Sequence, residues 1–415
     1  MGAAGTSERT TRDPVTADAL LMTALTVALA GFGGLFWVIA GHLQNTHEVG
    51  VAGTLFSSIM VLCFAAQFGV DRTLLAAMPH SDRPGSDFLL AVLTSGTAGC
   101  VLGTAFGLVL PHVAPATGPA LAGAHPFVFG VLVAGAAVNL TTDAAFLSMR
   151  RVIDNFVITG IGMGLLKCGL PFLLAGSGAF GLVASVGLST VIAALCCVVV
   201  IMRRLPRPQP LRHSALFRSE LRLGASAWLA NMVDFVPMLL LPVILVNAAG
   251  AAQNAIFFIG FQIVLMLNAS AYVIGNAAFA EASRRPERAE EVIRHSAKVM
   301  AVVIGAGTVA VIVLARLLLL VFGSAYADQG VPTLRLLALG SVAMATAFWA
   351  ITALRIRRRL RASVAVAIVS AGSATGLAFL LAGGGADATA VAWLAGHSSG
   401  ALVGLFLATS RKGRA

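Results

Sequence analysis

The chain has 415 residues, of which 58% are hydrophobic and only 11% charged, and its mean hydropathy is +0.91. So little polar surface excludes a water-soluble protein of this size and indicates a polytopic, all-α membrane protein. A net charge of +11 would suggest nucleic acid in a soluble chain. Here the basic residues fall in short loops between apolar runs, so no nucleic-acid partner is expected and membrane lipids are.

Residues 1–16 read as a disordered cytoplasmic tail, and the apolar run that follows is too long for the core of a cleavable signal peptide. Twelve transmembrane helices are expected, roughly at 17–41, 49–72, 87–111, 125–148, 152–175, 179–202, 222–246, 252–280, 298–322, 331–354, 362–382 and 388–409. Of the 28 lysines and arginines, all but Lys167, Arg316 and Arg335 fall in the tails or in alternate loops on one side. That asymmetry predicts a multi-pass protein with both termini cytoplasmic. The proline- and arginine-rich segment 205–217 is the longest polar interruption and divides the spans six and six. It is expected to be a cytoplasmic linker between an N-terminal lobe (17–204) and a C-terminal lobe (218–410), followed by a basic cytoplasmic tail (411–415).

Glycines recur at helix-packing spacing: Gly99, Gly103 and Gly107 in the third span, Gly160 and Gly164 in the fifth, Gly372 and Gly376 in the eleventh. In the fourth span Asp143 and Asn139, one turn apart, form either a polar site or a pair satisfied by a neighbour. In the fifth, Lys167 lies about 24 Å along its helix from Arg151. It either neutralises an anion inside the bilayer or snorkels to the outer headgroups. The five cysteines all lie in apolar spans without ligand spacing, so neither a disulfide framework nor a metal site is expected.

The stretch 225–280 reads as two long helices joined by the polar break 247–250. Asp234 lies about 18 Å from Arg222, near mid-membrane. A carboxylate there must face a polar cavity or a partner. Asn231 precedes it by one turn, and Pro237 and Pro242 follow, each removing a helical hydrogen bond. On the second helix Gln262, Asn268, Tyr272 and Asn276 fall within a sector of about 120°, one polar stripe. The stripe either lines a cavity or holds helices together. Further on, Arg316 and Arg335 lie near the outer interface, where they snorkel or form a rim for anionic headgroups. The run from Arg355 to Arg361 is accounted for by topology or grips lipid phosphates at the inner face. The chain has no phosphate-binding loop, HExxH pair, nucleophile elbow or acidic metal cluster. An enzyme is therefore not expected, nor a cofactor.

Two stretches carry a resemblance. Val49-Gly50-Val51-Ala52-Gly53-Thr54-Leu55-Phe56-Ser57, with Gln67-Phe68-Gly69-Val70-Asp71-Arg72-Thr73-Leu74, is similar to the first hairpin of bacterial polysaccharide and oligosaccharide flippases. Leu221-Arg222-Leu223-Gly224-Ala225, Phe322-Gly323-Ser324-Ala325-Tyr326-Ala327 and Leu334-Arg335-Leu336-Leu337-Ala338-Leu339 match the second half. The chain thus resembles the multidrug/oligosaccharidyl-lipid/polysaccharide exporter superfamily over nearly its whole length. The resemblance implies two six-helix lobes around a central cavity and passage of a polyprenyl-pyrophosphate-linked glycan across the bacterial plasma membrane by alternating access. Family members often line that cavity with several basic residues, whereas here Lys167 alone lies deep. Twelve spans rather than fourteen argue against the peptidoglycan-precursor branch.

On this reading the expected substrate-binding residues are Asn231, Asp234, Gln262, Asn268, Tyr272, Asn276 and Lys167. The expected coupling acids are Asp234 and Asp143, driven by a proton or sodium gradient, and the expected state is a monomer. The nearest rival is a cation-coupled multidrug exporter of the same superfamily. A membrane glycosyltransferase or polymerase would need a long acid-bearing outer loop, which the sequence lacks. A non-transporting scaffold would leave Asp234 without a role.

Overall fold

A backbone surrounded by lipid must satisfy its own amides, so long apolar runs fold as helices. A computed structural model describes residues 14–207 and 212–410; within these, the side chains of residues 14–23, 175, 223, 226, 227, 230, 231 and 233–236 lie outside the description. The helices are α1 (Pro14–Leu43), α2 (Thr46–Ala65), α3 (Val70–Ala77), α4 (Pro84–Val113), α5 (His125–Ser148), α6 (Val152–Asn155), α7 (Met163–Leu174) and α8 (Gly178–Met202). The second half comprises α9 (Ala215–Ala248), α10 (Ala251–Arg284), α11 (Ala289–Leu320), α12 (Ser324–Gln329), α13 (Val331–Ile356), α14 (Leu360–Leu381) and α15 (Gly385–Thr409).

Among the described residues ten helical stretches are long and apolar enough to cross a membrane, and one of them, Leu360–Thr409, holds both α14 and α15. Over its described residues α9 adds the shorter apolar stretch Pro237–Ala248. The chain is a multi-pass membrane protein. Its periphery is apolar, with Leu173 and Leu380 each 80% exposed. The arginine-rich loops gather at one end of the bundle, here called the basic end; the other is the far end.

The structure departs from the sequence reading at several places. The expected span 49–72 is not one helix: α2 stops at Ala65 and α3 starts at Val70. Phe68 (φ 46°) and Gly69 (φ 82°) both adopt the left-handed conformation. The break is held from outside, because Gln67 Nε2 donates to the Ala137 carbonyl at 2.7 Å and Thr141 Oγ1 donates to Gln67 Oε1 at 3.2 Å. A Cβ on residue 69 would stand 2.2 Å from the carbonyl carbon of Gly224 in α9, so glycine is required for space as well as for φ. The expected linker is shorter than 205–217, since α9 begins at Ala215, capped by Ser214 Oγ accepting from the Phe217 amide at 3.0 Å.

The glycines of α4 let α5 approach: a Cβ at Gly103 would meet the Gly130 Cα at 2.9 Å. Gly372 and Gly376 face open space instead, and α14 meets α15 through Gly396 and Gly400. The expectation that Gly372 and Gly376 pack fails because spacing gives a shared face but not its direction.

Besides the close approach of Gly69 to Gly224, contacts at both ends of the bundle tie the halves of the chain together. At the far end Asn254 Nδ2 donates to the Gly50 carbonyl and to Thr54 Oγ1, both at 2.8 Å. A Cβ on Gly50 would lie 1.8 Å from the Ala251 carbonyl oxygen. Trp37 seals the same level, edge-on to Phe258 at 4.5 Å and to Phe56 at 5.5 Å. At the basic end the fully buried Asp87 accepts from the Ser214 amide at 2.8 Å and from the Ser81 hydroxyl, with His213 Nδ1 at 3.3 Å. This carboxylate anchors the segment leading into α9 to the first turn of α4.

Candidate functional site

Between the halves lies a cavity of about 460 Å³. From the first half it is lined by Phe64, Gln67, Asp71 and Arg72, which the break between α2 and α3 presents to it. From the second half α9 contributes Trp228, Met232, Pro237 and Met238. Along α10 the lining residues are Phe261, Leu265, Asn268, Tyr272 and Asn276. The remaining walls are α13 with Phe348 and Arg355, α14 with Ser370, and α15 with Trp393 and His397.

Asn268, Tyr272 and Asn276 come together on the cavity, the first of the two arrangements that the stripe allows. Gln262 is not part of the lining. With Asn268 set to zero on a helical wheel, Phe261, Leu265, Tyr272 and Asn276 fall within about 80°, whereas Gln262 falls at about 120°. The stripe is narrower than the sequence suggested, and two of its members are apolar. Lys167, on α7, is likewise not on the lining, and no described carboxylate pairs with it. The side chains of Asn231 and Asp234 lie outside the described residues; their helix passes the cavity at Met232 and Pro237.

Asp143 sits away from this cavity, in the first half. Asn139 Nδ2 donates to it at 3.4 Å, and the side chain of Asn155 bonds it as well. Asn155 ends α6, and the π-helical turn Phe156–Gly162 follows immediately, a device common at functional sites. Asn139 Oδ1 and Asn155 Oδ1 are buried without a partner. The neighbour of Asp143 is therefore a second asparagine and not Arg150.

The charges of the main cavity stand at its basic end. Arg72, with its side chain 57% exposed, lies 3.5 Å from Asp71. Arg355, half-buried, comes from the last turn of α13 in the other half. Deeper in, the described lining is neutral: asparagine, serine, histidine and aromatic rings. Tyr272 packs edge-on to Phe348 at 4.5 Å, and Trp393 to Phe261 at 5.0 Å. Ser370 Oγ and His397 Nδ1 share a hydrogen bond of 2.8 Å. Sequence reasoning missed Ser370, Trp393 and His397. The available signal was a histidine halfway along an apolar span, since ionisable residues at that depth are costly.

The whole arrangement matches solved transporters. An inward-facing multidrug resistance transporter of the MATE family superposes with a TM-score of 0.67 at 16% identity, covering 94% of this chain and 97% of its own. The lipid II flippase MurJ, in an inward closed conformation, gives 0.68 at 11% identity, covering 94% and 88%. The chain has the fold of the MOP transporter superfamily. An outward-facing MATE structure gives a lower TM-score, 0.60 at 16% identity, with 95% of each chain covered. No protein-family model matches the sequence, and no curated protein does.

Proposed function

We propose that this chain is a transporter of the bacterial plasma membrane that carries a lipid-linked oligosaccharide or polysaccharide precursor from the inner to the outer leaflet by alternating access. The observation that carries the reading is the grading of the cavity. Arg72 and Arg355, one from each half, stand at its basic end, while the described depth is neutral, polar and aromatic. Arginines at the rim suit a pyrophosphate, and the depth suits sugar hydroxyls. The lipid tail stays in the bilayer while the head crosses.

On this reading the basic end is cytoplasmic, both termini with it, and α9 and the two helices of Leu360–Thr409 complete twelve spans in two lobes. A repeated device supports the two-lobe plan. The third residue of α2, Glu48, accepts from the Ala179 amide at the start of α8. The third residue of α10, Gln253, accepts from the Ala386 amide at the start of α15 at 3.0 Å. Residues Asn268, Tyr272 and Asn276 hydrogen-bond the glycan; Asp234 and Asn231 act from α9. Asp143, with its two asparagines, and Asp234 couple transport to a proton or sodium gradient. The protein acts as a monomer.

The likeness to a multidrug exporter favours a second reading, a cation-coupled drug exporter. It requires an acid in the cavity, and the acid on the described lining, Asp71, lies beside Arg72. Purified protein in liposomes separates the two. A fluorescent polyprenyl-pyrophosphoryl oligosaccharide should reach a membrane-impermeant quencher faster than in protein-free vesicles, and a lipophilic cation should not be pumped. Cation pumping without lipid movement would reverse the assignment.

A further inference from the structure

We infer that the deep wall of the cavity is a subsite for neutral, hydroxyl-bearing groups, built by Asn268 of α10 and by Trp393 and His397 of α15, with Ser370 of α14 behind them. The inference rests on the proposed function and names the part of the substrate that this wall receives.

Two polar atoms of the wall are buried and unpartnered, Asn268 Oδ1 and His397 Nε2; the indole Nε1 of Trp393 stands against Gly340 of α13 instead, so Trp393 offers the cavity its ring. Asn268 is 2% and Trp393 7% exposed. Buried polar groups are almost always paired, so the two orphans of lining residues Asn268 and His397 call for a partner that enters from the cavity. They also lie near one another. Both α10 and α15 run from the far end towards the basic end, and Phe261 touches Trp393. From that contact His397 lies one turn on, about 6 Å, and Asn268 two turns on, about 10 Å. The amide and the imidazole therefore stand within about one turn of each other in height.

The ring of His397 is held, not loose. A Cβ on Gly396 would lie 2.3 Å from the Ala374 Cα, and one on Gly400 would lie 2.5 Å from the Ser370 Cβ. The two glycines flanking His397 thus bring α14 close enough for Ser370 Oγ to reach Nδ1. With Nδ1 occupied, Nε2 is the atom left for a ligand. Its role complements the tautomer: it donates if Ser370 donates to Nδ1, and accepts if Nδ1 donates to Ser370.

The chemistry of the two atoms selects the ligand. The Asn268 Oδ1 only accepts, and Nε2 of His397 donates or accepts. An anion would meet the Asn268 oxygen, and a cation would find no described carboxylate at this depth. A hydroxyl both donates and accepts, so neighbouring hydroxyls on a sugar ring satisfy both atoms. The rings of Phe261, Trp393 and Phe348 supply the apolar surface that the carbon face of a pyranose requires.

Two probes test this with the purified full-length chain: polyprenyl pyrophosphate alone, and the same lipid bearing one neutral hexose. Wild type should bind the hexose-bearing lipid about ten-fold more tightly than the bare lipid. His397→Phe keeps a ring and removes Nε2; Asn268→Leu removes the acceptor. Each should abolish most of that gain while leaving affinity for the bare lipid unchanged. A hexose gain that survives in both variants, or no gain in wild type while the bare lipid still binds, would mean that the wall holds water only and would overturn the subsite, leaving the flippase reading intact. Failure of wild type to bind either lipid would overturn the flippase reading and the subsite with it.

Discussion

Single residues decide where polarity can exist in this protein. Asp234 is the acid that the sequence brings forward, on the helix that passes the cavity, and we assign it to coupling. Asp234→Asn keeps size and hydrogen bonding but cannot hold a proton or balance a cation. It should leave protein abundance in the membrane unchanged and abolish gradient-driven movement of the glycan lipid. Equal glycan exposure on the outer leaflet at matched abundance, with equal sensitivity to collapsing the proton and sodium gradients, would remove that role. Asp87 makes the contrasting case, a carboxylate whose work is structural. Buried and holding the Ser214 amide and the Ser81 hydroxyl, it should cost about 2–3 kcal/mol on replacement by alanine, because charged hydrogen bonds are lost and a donor is orphaned. Thermal unfolding of detergent-purified Asp87→Ala should show the loss; an unchanged melting temperature would contradict the anchoring role. At this scale the sequence was partly legible. The spacing of Asn268, Tyr272 and Asn276 led to the cavity, but Gln262 lies just outside the same sector. His397 is legible only as a histidine within an apolar span; its bond to Ser370, on another helix, is not.

Elements follow from apolar length and are modified by a few polar or glycine residues. The order of helices could be read directly from the apolar runs and the break at 247–250, where Gly250 adopts φ 87°. The interruption of α2 could not, because it depends on Gln67 reaching Ala137 and Thr141, 70 or more positions away in the chain. Glycine spacing identified the α4–α5 contact and failed for α14, since period alone does not say which neighbour a face meets. The paired caps are also elements of tertiary origin. Replacing Gln253 by alanine frees the Ala386 amide and should destabilise the start of α15 by about 1 kcal/mol, and Glu48→Ala should do the same to α8. Hydrogen exchange should rise at Ala386 in the first variant and at Ala179 in the second; exchange unchanged at both would show that the caps carry no energy.

At the scale of the whole molecule, two halves are joined at the far end through Asn254 and at the basic end through Asp87 and the close approach of Gly69 to Gly224, with the cavity between them. The charge asymmetry of the loops predicts which end is cytoplasmic, but the seal between Gly50, Thr54 and Asn254 involves residues about 200 positions apart, so no local pattern announces it. Alternating access requires this seal to open once per cycle. In the structure Asn254 Nδ2 and Thr54 Oγ1 are 2.8 Å apart, so Thr54→Cys with Asn254→Cys allows the two halves to be locked and released by redox state. The decisive measurement is the movement of a fluorescent polyprenyl-pyrophosphoryl oligosaccharide by this double variant in liposomes, oxidised and then reduced. Movement should stop in the oxidised protein and return on reduction. Equal rates in the two states, with the cross-link verified by mass, would rule out opening of this seal during transport.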